Sequence, residues 1–187
     1  MQGYPALPNV AREIKTVGQI EDGVVLANEA FRQAEVQQML RSAPYSIVHI
    51  ASHGEFDSDP ARTFLLTYDG KMTLDELERS VKYSEFRDEP LELLTLSACR
   101  TAAGDDRAAL GLAGVAIKAG ARSALASLWF ISDQASPDLV IDFYERLKQP
   151  GMTKAKALQQ AQVALMSDRR FRHPAYWSAF MIIGNWL

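Results

Sequence analysis

Two side chains in this sequence have the chemistry of a nucleophile and its proton partner. Cys99 is the single cysteine among 187 residues, and His53 lies 46 residues before it (53 to 99). A thiol attacks as its thiolate, and with an ordinary pKa of about 8.5 only a few per cent is ionised at neutral pH. It therefore needs a base or a cationic neighbour, and the leaving amine of a peptide needs a proton that an imidazole supplies. Gly54 follows the histidine. With no Cβ it lets a substrate carbonyl approach the backbone, and its N–H is a candidate oxyanion donor together with the Cys99 amide. Ser97, Ala98, Thr101, Ala102, Ala103 and Gly104 keep the surroundings of the thiol small. The competing reading is a buried cysteine that acts as a small hydrophobe; local sequence alone leaves both open.

The other histidines carry less. His49 stands on the same side of an extended strand as His53. Histidines at i and i+4 ligate a metal from a helix, and no third ligand is evident. His49 therefore reads as a structural histidine, and neither a metal nor another cofactor is called for. His173 precedes Pro174 in a turn and is assigned no chemistry.

The elements that must position these residues follow from the apolar pattern. Continuous apolar runs over Tyr45–Ala51, Leu91–Leu96 and Ser123–Trp129 read as buried strands. Shorter strand candidates are Gly23–Leu26, Thr63–Thr67 with a turn at Asp69–Gly70, and Tyr176–Ile183. Residues 1–10 form an irregular arm, and Ala11–Val17 is helical. A helix over Ala30–Leu40 turns Phe31, Ala34 and Met39 inward. Thr73 with Glu76 has the capping-box spacing at the start of another helix. Leu110–Ala119 is helical and stops at Gly120. Ser132 or Asp133 caps a helix over Gln134–Leu147 with Pro137 in its first turns. After a break at Gln149–Gly151, Thr153 caps Lys154–Met166. Strands alternating with helices predict an α/β fold with a mostly parallel sheet covered on both faces. In such folds chemistry sits beyond the carboxyl ends of the strands. His53, Cys99 and Asp133 each follow a strand, so they gather at one end of the sheet.

Several stretches, in order, resemble the CHAT domain, the caspase-like domain associated with tetratricopeptide repeats. Ile47-Val-His-Ile-Ala-Ser-His-Gly54 is similar to its histidine motif and Leu94-Thr-Leu-Ser-Ala-Cys-Arg-Thr101 to its cysteine motif. Gly111-Leu-Ala-Gly114, Ala119-Gly-Ala-Arg-Ser123 and Ala126-Ser-Leu-Trp129 with Asp133 continue the pattern. Asp142-Phe-Tyr144, His173-Pro-Ala-Tyr-Trp-Ser-Ala-Phe180 and Ile183-Gly184 look like its C-terminal end. The similarity runs from about Glu13 to Trp186. The spacing of histidine and cysteine is also close to that of caspases, where the histidine lies about 50 residues upstream. The resemblance implies a caspase–hemoglobinase-like three-layer sandwich, one domain over residues 1–187, and cysteine endopeptidase chemistry. It makes His53 the catalytic histidine, Cys99 the nucleophile, and Gly54 with the Cys99 amide the oxyanion hole. Leu128-Trp-Phe-Ile-Ser-Asp133 resembles the separase stretch whose aspartate meets a basic substrate side chain. That implies substrate-binding roles for Asp133 and Trp129, with a helix cap as the other reading of Asp133.

Relative to the family, the chain starts late. The resemblance implies that N-terminal strands of the sheet are missing, which leaves an exposed sheet edge for another segment or subunit to cover. The expected partners are a protein or peptide substrate, an N-terminal remainder of the domain, tetratricopeptide repeats or a second subunit. The alternative is a catalytically silent scaffold in a bacterial signalling or defence assembly.

Composition narrows the classes further. With 48% hydrophobic and 23% charged residues the chain is of ordinary globular type. The net charge of −3 comes without a block of like charge, so neither nucleic acid nor an anionic membrane is an expected partner. No apolar run reaches the roughly 20 residues of a membrane span. A lone thiol and the lack of a secretory signal pattern near Met1 point to the cytoplasm. Gly111–Gly114 lacks the Lys and Ser/Thr of a phosphate loop, so a nucleotide-binding reading fails.

Overall fold

The computed structural model describes residues 4–56, 63–85, 90–97, 100–101, 120–129 and 132–187. Cys99 and the expected helix over Leu110–Ala119 lie outside the described residues.

Three strands of the main sheet arise where the sequence has apolar runs with no polar alternation. These are β1 (Ile47–Ala51), β5 (Leu93–Ser97) and β7 (Ser123–Ser127), and all five residues of β5 and of β7 are buried. Both faces of a parallel strand must be covered, which is why the runs are continuous. The sheet order is β1-β5-β7-β8, with β8 (Phe180–Gly184) antiparallel to β7 and the other pairs parallel. The last strand therefore starts later than the expected Tyr176; Pro174–Trp177 forms a short helical turn instead, capped by His173 Nδ1, which accepts the Ala175 N–H at 3.2 Å.

The helices divide between the two faces. On one side α2 (Gln33–Ser42) and α3 (Leu74–Glu85) cover Ile50, Leu94, Leu96, Ala124 and Ala126. On the other, α1 (Val10–Ile20), α4 (Ser136–Leu147) and α5 (Lys154–Ser167) cover Leu93 and Leu125. Odd and even residues of one strand thus enter different cores, as the two-residue period requires. The result is the expected three-layer α/β arrangement. Thr73 and Glu76 make the capping box: Thr73 N–H donates to Glu76 Oε2 at 2.7 Å and Glu76 N–H to Thr73 Oγ1 at 3.3 Å. Thr153 likewise accepts Lys156 N–H at 3.2 Å.

Three local expectations are corrected. The helix expected from Ala30 begins at Gln33, after a 3-10 turn over Asn28–Ala30 that starts with Asn28 at a φ of 50°. The delayed start rotates the inward face to Val36 and Leu40, leaving Ala34 exposed and Phe31 and Met39 half-buried. Gly23–Leu26 forms no strand and pairs with none among the described residues. Val25 packs against Gly18 so closely that a Cβ there would lie 2.5 Å from Val25 Cγ2. A cavity of about 320 Å³ is lined by Gly23–Leu26 and by Ile47–Ile50 of β1. The helix expected at Gln134 starts at Ser136, because the Ser132 carbonyl accepts both Ala135 and Ser136 N–H at 3.0 Å and closes a turn first.

A second sheet, in the order β4-β3-β2-β6, extends from the carboxyl ends of β1 and β5. β2 (Gly54–Phe56), β3 (Phe64–Leu66) and β4 (Lys71–Thr73) are antiparallel neighbours, and β6 (Arg100–Thr101) runs parallel to β2.

Candidate active site

His53 occupies the two-residue connection between β1 and β2, half-buried. Its carbonyl accepts Leu66 N–H at 2.7 Å, which pins the backbone at the point where the chain passes from one sheet to the other. In an antiparallel ladder, hydrogen-bonded and non-hydrogen-bonded pairs alternate. His53 and Leu66 form a bonded pair, so the next pair, Gly54 and Leu65, is non-bonded. The Gly54 N–H therefore turns away from β3, toward the edge of β2 on which β6 pairs.

The imidazole is held by the N-terminal arm. His53 Nε2 lies 2.7 Å from the Pro5 carbonyl oxygen, and the Tyr4 ring packs at 5.3 Å between centroids with a 36° tilt. A carbonyl oxygen only accepts, so Nε2 carries the proton. In the neutral ring that leaves Nδ1 as the unprotonated nitrogen. Sequence reading gave the arm no role. A backbone carbonyl leaves no side-chain signal, so none was available to find it.

Cys99 lies outside the described residues, but the residues on either side of it do not. β1 pairs with β5 up to Ala51 opposite Ser97, and β2 pairs with β6 from Glu55 opposite Arg100. Ser52 N–H adds a bond to the Ser97 carbonyl at 3.2 Å. The connection that contains His53 and the one that contains Cys99 thus leave neighbouring parallel strands and enter neighbouring parallel strands. β5 also lies between β1 and β7, whose ends are separated by two strand spacings, about 10 Å.

Asp133 and Trp129 follow β7. Trp129 is 36% exposed, and its indole N–H donates to the Ala175 carbonyl at 3.0 Å, which leaves a ring surface open to solvent. Asp133 is not the cap of α4, whose N-cap is Ala135. Its Oδ2 accepts instead from Asn9, at 2.7 Å from the side-chain Nδ2 and 3.3 Å from the backbone N–H.

His49 is the structural histidine of the sequence reading. Its Nε2 donates to Glu13 Oε1 at 2.9 Å, with side chains only 7% and 1% exposed. Its Nδ1 lies 3.3 Å from the Tyr144 hydroxyl, which is 2.7 Å from Thr95 Oγ1. Burial, with the nearby Glu21 and Glu13 carboxylates, pushes the Tyr144 phenol far up despite the opposing Thr95 hydrogen bond. The hydroxyl therefore stays a donor. Glu13 escaped the sequence reading, although its i,i+4 position to the buried Val17 marks a carboxylate on an inward stripe. Among the described residues no cluster of His, Cys, Asp and Glu has the makings of a metal site. Nor, among them, is any helix long and apolar enough to cross a membrane.

The CHAT domain pattern matches residues 2–185. Tetratricopeptide repeat protein 28 of Homo sapiens is 36% identical over 69 residues, 37% of this chain and 3% of that protein. Its Mus musculus counterpart is 31% identical over 131 residues, 69% of this chain and 5% of that protein. The chain therefore corresponds to a small fraction of the length of these curated relatives.

Proposed function

The chain belongs to the CHAT domain family, and from that premise we propose that it is a cysteine endopeptidase acting on a protein. With the Cys99 thiol proton carried on His53, the thiolate attacks the scissile carbonyl carbon, and the oxyanion is met by the N–H groups of Gly54 and Cys99. His53 gives a proton to the departing amine and leaves a Cys99 thioester. It then takes a proton from water as that water attacks the thioester, releasing the acid product and the thiolate. No metal or cofactor enters this chemistry.

The observation that carries the reading is the matched registers on both sides of the two connections, Ala51 with Ser97 and Glu55 with Arg100. The Pro5 carbonyl supports it further: with the Nε2 proton held there, Nδ1 is the nitrogen free to exchange protons with thiol and substrate. Trp129, 36% exposed after β7, is a candidate for an aromatic wall of the cleft. The test is a peptide library digested with the wild-type chain, Cys99→Ala and His53→Ala, with cleavage read by mass spectrometry. Cleavages present in the wild type and lost in both variants support the proposal; cleavage by Cys99→Ala at the wild-type rate refutes it.

A non-catalytic scaffold is the second reading, and one observation favours it. Among the described residues no strand pairs with the outer edge of β1. An open edge accepts an extended segment through backbone hydrogen bonds. An earlier part of the same polypeptide, repeats of the kind named in the curated relatives, or a second subunit are the candidates to supply it.

A further inference from the structure

The N-terminal arm has little to hold it in place. Tyr4, Pro5, Ala6 and Pro8 are exposed and Leu7 is half-buried. Yet the Pro5 carbonyl sits within hydrogen-bond distance of the imidazole on which the proposed chemistry depends. With so little apolar burial, directional bonds must fix the arm. It meets α1 through a turn in which the Val10 N–H donates to the Leu7 carbonyl at 3.2 Å, and Asn9 is the N-cap residue of that helix. Asn9 makes no side-chain cap bond to its own helix. Its amide reaches across to Asp133, 124 residues away in sequence.

We propose that Asp133 is a positioning residue: it clamps Asn9, and through the arm it sets the Pro5 carbonyl that orients the His53 imidazole. The path is short. Three residues separate Pro5 from Asn9, and two of the arm's five residues from Tyr4 to Pro8 are prolines with fixed φ. A stiff arm transmits the position of Asn9 to Pro5 instead of absorbing a change. Two donors on one carboxylate oxygen also set orientation as well as distance. The clamp joins the strand end of β7 to that of β1, on either side of the strand that leads to Cys99. A wall for a basic substrate side chain would need the same oxygen free of Asn9, so the two roles make opposite demands.

The clamp rests on the peptidase reading only for its effect on rate; its effect on the imidazole is separate. The test follows the three histidines of the chain by nitrogen-15 NMR, with His53 assigned through His53→Gln. Asp133→Ala and Asn9→Ala are compared with Asp138→Ala, which breaks the Arg12–Asp138 pair between the same helices without touching the arm. With the imidazole neutral, His53 in the wild type and in Asp138→Ala is expected as the Nε2–H tautomer with slow solvent exchange. In Asp133→Ala and Asn9→Ala, with the fold intact by circular dichroism, both tautomers are populated and exchange is at least about tenfold faster. Where turnover is measured, kcat falls about 10–100-fold with little change in KM, the scale of a misplaced catalytic group. An unchanged His53 signal in both variants overturns the clamp, as does a lost preference for basic substrates with an unchanged signal. A chain that cleaves nothing, yet shows the tautomer change, would refute the peptidase reading and leave the clamp standing.

Discussion

Replacing Glu13 by alanine removes the acceptor for a buried imidazole N–H. The Glu13 and His49 side chains are 1% and 7% exposed, so water does not take over the role without a local opening. A hydrogen bond to a charged group contributes about 1.5–3 kcal/mol, and breaking a buried pair from one side costs about 3–5 kcal/mol. The expected loss lies where these ranges meet, about 3 kcal/mol. For a chain of this size that lowers Tm by roughly 6–12 °C, at about 2–4 °C per kcal/mol. The pair is not all gain, because Glu13 Oε2 is buried and has no hydrogen-bond partner among the described residues. Desolvation of that oxygen offsets part of the attraction, so Glu13→Leu with His49→Phe is expected to recover most of the loss. Urea unfolding followed by circular dichroism measures both variants, with Glu92→Ala as control. That residue's pair with Arg122 is 36% and 55% exposed, and its loss costs at most about 1 kcal/mol. If Glu13→Ala costs no more than Glu92→Ala, the buried pair does not hold α1 against β1.

Other consequences are open to measurement. Tyr144→Phe removes the hydroxyl between His49 Nδ1 and Thr95 Oγ1, and urea unfolding should show a loss of about 1–3 kcal/mol. Leu125→Ala opens a cavity in the fully buried strand β7 and should cost about 2–5 kcal/mol by the same assay. The bonds from Thr73 hold the Glu76 carboxyl below its ordinary value of 4.5. A depressed pKa stabilises the fold above the unfolded value and is lost as pH falls through the folded one. Thr73→Ala should therefore lower stability by about 0.5–2 kcal/mol at neutral pH, and by less in acid titrations below pH 4.5.

The sequence was legible where burial alone decides structure. β5 and β7 are continuous apolar runs because both faces are covered, and His53 and Asp133 fall beyond strand ends as that topology requires. Gly23–Leu26 has the same apolar look without becoming a strand, since pairing depends on a neighbour the run does not name. The phase of α2 was lost because Asn28 takes a left-handed turn and postpones the helix. Asp133 has the spacing of a helix cap, but a turn closed by the Ser132 carbonyl intervenes and frees its carboxylate for Asn9. The part played by Pro5 was out of reach, because a backbone carbonyl acts without regard to the side chain that bears it.

The central claim is that His53 and Cys99 work as a pair, and the chain's single thiol makes that directly measurable. The rate of alkylation by iodoacetamide, followed by mass spectrometry across pH 5–10, reports the thiolate of Cys99 alone. In the wild type it should titrate well below the ordinary thiol value of about 8.5 and return toward that value in His53→Gln. Identical profiles in the two proteins would contradict the pair.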